Sequence, residues 1–344
     1  MSINKYYLIN KIIKLADALG HIGLHEQVED LYRVSSSIDR GIIKNACIIA
    51  SGRFDGKKCL FKNRDRNYLP RVRIYHTLID GVEVVYMEDE ITGWTEGMNE
   101  YGIGIVNSAL AVAADEKEGV KKVKKSKKFE KDDDKTSAKR KKIIKNEERM
   151  LEALSKNNIK DAVNIIKDYL NGLPGHTIIA TPNDTVSVEF TKESEKPYVG
   201  LLKEDKKHIR TNHGIHLPKE GYRPSDGVSY YSSHVREEQA IKIINTVNNP
   251  EDIAPSIYGK RFKKIDDPMA MVRDTSNMKT TSQMVLNLSD LEMLFYIIPD
   301  KVKFLGYKNE LPKNYEPKIK VRVFKFSKIE EDGDFKTKEV KVSK

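Results

Sequence analysis

The sequence predicts an α+β fold in which antiparallel sheets pack together under a cover of a few helices. Two observations carry that expectation. Strand-like runs of period two arrive in clusters joined by short turns, and the helical stretches stand between those clusters instead of alternating strictly with strands. With 344 residues, 39% of them apolar, the chain is long enough to bury a substantial core.

The first 46 residues read as two short amphipathic helices. Ile9, Ile12, Ile13, Ala16 and Leu19 recur at helical spacing, Gly20 and Gly23 interrupt, and Leu24, Val28 and Leu31 resume the pattern before Ser35, Ser36 and Ser37 end it. So small a hairpin holds no core of its own, so residues 1–46 are expected to act as a leader that docks on the rest of the chain, docks on a partner, or is removed.

From about Ile42 the period changes to two. Runs at 46–51 and 58–62 flank Asp55-Gly56, a hairpin signal, and runs at 72–79, 82–87 and 102–110 continue the meander. A helix is expected over 147–170. Strands follow at 176–181 and 185–191 around Pro182-Asn183-Asp184, then at 199–203 and 208–212. A second helix is expected at 235–247, with Ala240, Ile241, Ile243 and Ile244 apolar, and the last strands fall at 282–288, 292–298 and 319–326.

The formal charge of +10 is concentrated in one place. Between Asp115 and Lys145 fourteen Lys/Arg stand against seven Asp/Glu, leaving only +3 for the remainder. This low-complexity run is expected to be a long surface loop inside a domain covering 47–344. Phe129 is its only aromatic residue, so bases would find no stacking platform, and nucleic acid is not the expected partner. Were the loop a nucleic-acid site, its affinity would collapse with salt. No apolar run approaches the ~20 residues of a membrane span, and Lys11, Lys14 and Asp17 break up the N-terminal apolar positions, so a cytoplasmic protein is expected. Cys47 and Cys59 are the only cysteines, which excludes a disulfide framework and a four-thiolate zinc site. There is no P-loop, no GxSxG elbow, no HExxH and no His/Cys pair at metal-ligand spacing.

Cys47 is the informative residue. It opens a strand whose hairpin partner runs out through Lys62-Asn63-Arg64-Asp65, and a hairpin brings its two outer ends together. A thiol would then lie beside a carboxylate and a cation, the surroundings that lower a cysteine pKa. Taken alone, a cysteine here is more often a small buried hydrophobe than a nucleophile, as Cys59 and the lone Trp94 are expected to be core residues.

Four blocks in order extend this reading. Ala46-Cys47, Asn63-Arg64-Asp65, the segment from Glu96-Gly97-Met98-Asn99 to Asn107, and Arg210-Thr211-Asn212-His213 resemble the cysteine N-terminal-nucleophile (Ntn) hydrolases. Similarity is greatest to the acyl-coenzyme A:6-aminopenicillanic acid acyltransferase-like proteins and their choloylglycine hydrolase relatives, over about residues 47–236. The resemblance implies a four-layer αββα sandwich of two antiparallel sheets covered by helices, preceded by the helical leader. It also implies maturation by self-cleavage between Ala46 and Cys47, which would free an α-amine with a pKa of ~7.7–8.0, suited to proton transfer.

Carried over residue by residue, Cys47 would supply the attacking sulfur and the amine that shuttles its proton, and Asp65 would orient that amine. Lys62, standing where bile-salt relatives carry arginine, would be a charge partner of the thiolate. Asn107 would offer its side-chain amide to the oxyanion, although its spacing from Gly97 departs by two residues from the bile-salt pattern. Asn212 would bind the same region or the amine, and Arg236 matches a late arginine of the family. The implied reaction is hydrolysis or acyl transfer on a small linear amide through a thioester on Cys47, with no metal or cofactor, in a chain that leaves room for a homo-oligomer. Two alternatives stand beside it. His213 could pair with Cys47 in an ordinary Cys-His dyad needing no leader removal, or the chain could be a non-enzymatic docking protein that keeps its leader, a form that its Ile-, Asn- and Lys-rich composition would fit in a virion.

Overall fold

The computed structural model describes residues 47–90, 92–110, 146–168, 174–191, 196–217, 228–259, 269–275, 278–327 and 337–340. The expected leader over 1–46 and the whole of the charged loop at 115–145 lie outside the described residues.

Fifteen strands and four α-helices are described. In chain order they are β1 (Cys47–Phe54), β2 (Lys57–Arg66), β3 (Arg71–Ile79), β4 (Val82–Asp89), β5 (Trp94–Asn99), β6 (Gly104–Ser108), α1 (Asn146–Leu154) and α2 (Ile159–Ile166). There follow β7 (Gly175–Ala180), β8 (Thr185–Phe190), β9 (Tyr198–Leu201), β10 (His208–Arg210), α3 (Val228–Ile244), α4 (Ile253–Gly259), β11 (Lys279–Asn287), β12 (Glu292–Ile297), β13 (Lys303–Asn309), β14 (Lys320–Phe326) and β15 (Thr337–Val340). One sheet has the order β10-β1-β2-β11-β12-β14-β15, the other β13-β3-β4-β5-β6-β7-β8-β9. The expected meander is therefore divided: its first hairpin belongs to one sheet and β3 to β6 to the other. The sheets are mixed, not purely antiparallel, because β12 pairs with β14 and β13 with β3 in parallel.

Strand alternation builds the layers. In β1, Ile48 and Ala50 pack with Ala240, Ile243 and Ile244 of α3, whereas Ile49 packs between the sheets with Val85, Met98 and Val106. In β4, Val85 and Met87 face the other sheet, while Val84 and Tyr86 face outward onto Met150, Ala153 and Leu154 of α1 and Val163 and Ile166 of α2. The sequence of layers is thus α3 and α4, sheet, sheet, α1 and α2. No helix among the described residues is long and apolar enough to cross a membrane.

The helix expected over 147–170 is two helices. Asn158 ends the interruption as an N-cap, its side chain accepting from the Asp161 amide at 2.9 Å, a competing hydrogen bond that periodicity does not register. Strand β5 was not expected because Glu96, Gly97 and Asn99 break the apolar alternation. A Cβ on Gly97 would stand 2.2 Å from the Val85 carbonyl oxygen, so only glycine lets β5 lie this close to β4.

Candidate active site

Asp55 (φ 50°) and Gly56 (φ 73°) close the β1–β2 hairpin in the left-handed region, and this fixes its register: Cys47 stands opposite Arg64. Alternation then divides β2. Lys62, Arg64 and Arg66 share the face of Cys47, toward the second sheet, while Asn63 and Asp65 face the helices.

On the inter-sheet face three buried cations meet two buried carboxylates. Lys62 Nζ donates to Glu96 Oε1 at 2.7 Å and to the Asn107 carbonyl, and the Asn107 amide donates to the same Glu96 oxygen at 3.0 Å. Arg66 Nε lies 3.9 Å from Asp89 Oδ2, and its Nη1 lies 3.6 Å from Cys47 Sγ. A thiolate would bring these charges into balance. Burial pushes the Cys47 thiol up, but the Lys62 and Arg66 charges outweigh it and hold the thiol below its ordinary value. Burial likewise raises Glu96, and Lys62 and Arg64 reverse that, leaving its carboxyl below the usual range. Burial holds Cys59 in its thiol form, far from this chemistry, among the core residues under α3.

The backbone of Cys47 is held from the helix side. Its amide donates to Asn212 Oδ1 at 3.2 Å, and its carbonyl accepts from Arg236 Nη1 at 3.3 Å. Arg236 Nη2 also donates to Asn212 Oδ1, at 2.9 Å. The Asn212 amide nitrogen donates to the Ala109 carbonyl at 2.6 Å and to Ser108 Oγ at 3.2 Å, so one side chain ties β1, β6 and α3 together. The loop carrying Asn212 is itself anchored by Glu189, whose carboxylate accepts the amides of Ile215, His216 and Leu217 at 2.8–3.0 Å.

Asp65 lies fully buried on that same side. Its Oδ1 accepts from Thr280 Oγ1 at 2.7 Å and from Asn63 Nδ2 at 2.9 Å, a geometry aided by a bulge in β11 that turns Thr280 toward it. Among the described residues its Oδ2 has no hydrogen bond, and it is faced by Arg236 and Arg273, each at 3.9 Å. Burial dominates here: the Asp65 carboxyl sits above its ordinary value in spite of the two guanidiniums.

The six residues singled out in the sequence thus fall around one point, with different parts turned to it. Asn107 contributes backbone. Its side-chain amide, expected to face an oxyanion, donates instead to Thr177 Oγ1 at 2.7 Å and to the Pro174 carbonyl at 3.3 Å, because odd positions of β6 face away from Cys47. His213 has both ring nitrogens engaged elsewhere, Nδ1 near Ser233 Oγ at 2.9 Å and Nε2 near Glu237 Oε2 at 3.0 Å, which leaves none for a dyad with Cys47. Sequence reasoning missed Arg66, Glu96 and Arg273. Arg66 was within reach of the alternation, being two and four positions from Arg64 and Lys62 on a buried strand; Arg273 comes from a loop and carries no local signal.

A pocket of about 190 Å³ begins directly after Arg66 and is lined by Asn67, Tyr68, Leu69, Met278 and Lys301. A larger one of about 730 Å³ lies on the outer side, between α1, α2 and β9, away from the thiol.

No protein-family model matches the chain, and no curated protein matches it. Among solved structures, penicillin V acylase from Agrobacterium tumefaciens is similar at 11% identity, covering 73% of this chain and 86% of that one with a TM-score of 0.35. At that score the likeness carries no weight on function, which rests on the geometry around Cys47.

Proposed function

We propose that the chain is a cysteine hydrolase or acyltransferase of the Ntn type, matured by cleavage between Ala46 and Cys47 and acting on a small linear amide. The observation that carries this reading is the buried Cys47 thiol beside Arg66 and Lys62, on a residue whose backbone amide and carbonyl are both held by side chains, Asn212 and Arg236.

In this reading the thiolate attacks the amide carbonyl carbon and forms a C–S bond. The tetrahedral intermediate collapses as the C–N bond breaks, and the leaving amine takes a proton from the α-ammonium of Cys47. The resulting thioester is resolved by water or a second amine, with the α-amine recovering the proton. In self-cleavage the Cys47 sulfur attacks the Ala46 carbonyl carbon, and the Ala46–Cys47 C–N bond breaks as the C–S bond forms. The thiol's own proton ends on the departing Cys47 nitrogen, and water, its proton taken by the freed α-amine, then cleaves the thioester. Asn212 and Arg236 hold the Cys47 backbone in place for both reactions. Asp65 Oδ2, buried without a hydrogen bond among the described residues, is the acceptor we assign to the freed ammonium. Lys62, fixed by Glu96, supplies positive charge to the thiolate, and Asn107 holds Lys62 through its carbonyl.

The test is to trap the acyl-enzyme. A processed protein incubated with a panel of acyl anilides should gain the mass of the acyl group on the peptide that begins at Cys47, and a Cys47→Ala chain should gain none. An adduct on Cys59, or none with any acyl anilide while aniline release proceeds, would overturn the assignment.

A further inference from the structure

Where β10 passes into the loop of Asn212, the chain brings together three groups that neither the core nor the thiol chemistry uses. His213 comes from the loop. His234 and Glu237 lie three residues apart on α3 and so share one of its faces. His213 Nε2 and Glu237 Oε2 are 3.0 Å apart, and the ligating atoms of all three residues lie within 4.8 Å of one another. The two imidazoles are stacked with centroids 3.7 Å apart.

Their hydrogen bonding is incomplete in an informative way. Ser233 Oγ donates to Thr211 Oγ1 at 2.9 Å and accepts the Asn212 amide at 2.8 Å. His213 Nδ1 is anchored by Ser233 Oγ at 2.9 Å and Thr211 Oγ1 at 3.2 Å. This turns the other ring nitrogen, Nε2, to Glu237 Oε2 at 3.0 Å. His234 Nε2 is buried and has no hydrogen-bond partner among the described residues. Anchoring one ring nitrogen while the other faces further ligand atoms is how proteins orient histidine toward a metal.

The geometry points to a divalent-cation site of the zinc class formed by His213 Nε2, His234 Nε2 and Glu237, with a fourth position open to solvent. Zinc holds nitrogen and carboxylate oxygen at about 2.0–2.2 Å in a tetrahedron, which sets its ligands about 3.4 Å apart. The His213 to Glu237 separation is already close to this, and the His234 ligand atom, within 4.8 Å of the other two, has to close the remaining distance when the ion binds. Two histidines and a carboxylate are a ligand set suited to zinc over magnesium or calcium. The Glu237 side chain is 16% exposed, which gives the ion a way in. Arg210, whose charge acts on Glu237, is the opposing influence. An ion here would clamp the Asn212 loop to α3, which also carries Arg236, and so brace the backbone contacts of Cys47 from outside the reacting atoms.

The experiment uses the untagged full chain carrying Cys47→Ala, so that the nucleophilic thiolate supplies no ligand and the outcome is independent of the proposed reaction. Metal-free protein is titrated with zinc by calorimetry and with cobalt(II) by visible absorption, and its melting temperature is followed with and without zinc. One equivalent of zinc should bind, cobalt should show the intense bands of a tetrahedral site, and the melting temperature should rise with zinc concentration. His234→Ala and Glu237→Gln should each weaken binding by more than the ~10–100-fold that loss of an outer-shell partner costs, and both should abolish the zinc-dependent rise. Failure of the parent to bind, binding unchanged in either variant, or equal loss in a His208→Ala control would overturn the site.

Discussion

Breaking the Lys62–Glu96 pair should be far more damaging than removing both of its members. Lys62 is 2% exposed and Glu96 is fully buried, and at 2.7 Å with an effective dielectric of 20 their attraction is about 6 kcal/mol. Much of that offsets the desolvation of the two charges. Removal of one partner exposes the imbalance, typically about 3–5 kcal/mol. Lys62→Met would leave Glu96 with the Arg64 charge and the Asn107 amide, so the low end applies: a loss of about 3 kcal/mol. Lys62→Met with Glu96→Gln keeps an acceptor for the Asn107 amide and removes the orphaned charge, so the double variant should lose only about 1–2 kcal/mol. The assay is urea unfolding in a Cys47→Ala background, which lacks the thiol proposed to cut the chain, at pH 7 and again at acid pH. Because the folded Glu96 carboxyl lies below its ordinary value, its stabilisation is complete above the unfolded pKa of about 4.3 and is lost as pH falls through the folded one. The acid limb should therefore be shallower in the double variant. A single-variant loss under about 1 kcal/mol, or a double-variant loss equal to the sum of the two singles, would refute this account of the buried pair.

Three further predictions concern the thiol and its frame. Arg66→Met removes a charge that lowers the Cys47 thiol, so the acid limb of kcat/KM should move to higher pH; an unmoved limb would mean that Arg66 does not act on the sulfur. Asn107→Ala should cost about 1–2 kcal/mol through its lost bonds to Thr177 and Pro174 and leave kcat within a few-fold, whereas a drop of ~10²–10³ would place its side-chain amide at the oxyanion. Asn212→Leu leaves the Cys47 amide, the Ala109 carbonyl and Arg236 short of a partner, and the appearance of processed chain, followed by intact mass over time, should slow at least tenfold; cleavage at the parent rate would exclude Asn212 from holding the scissile region.

The first hairpin was legible because both of its determinants are local: an Asp-Gly turn and strands that alternate between two apolar faces. Its register made the meeting of Cys47 with the Lys62 charge legible, but Arg66 was passed over, and Asp65, expected beside the thiol, faces the helices instead. Edge strands were not legible. Both β13 and β15 lie at or near sheet edges with exposed lysines on their faces, so they carry no apolar alternation to read. Helix α4 is a single short element whose Ile253, Ala254 and Ile257 are buried by tertiary packing, not marked by caps. In the site, residue identities were readable but directions were not. Asn107 was assigned its side chain because asparagine amides suit oxyanions, yet the parity of β6 turns that amide toward β7 and gives the site its carbonyl. The approach of α3 to Cys47 joins residues 189 positions apart, a pairing that no local pattern encodes.

The central claim is tested most directly by intact mass and N-terminal sequencing of the purified chain beside its Cys47→Ala variant. The account predicts a mature protein that begins at Cys47 and a variant that stays full length. If both retain the residues before Cys47, the thiol does not cut its own chain, and a protein that keeps its leader for docking becomes the better description.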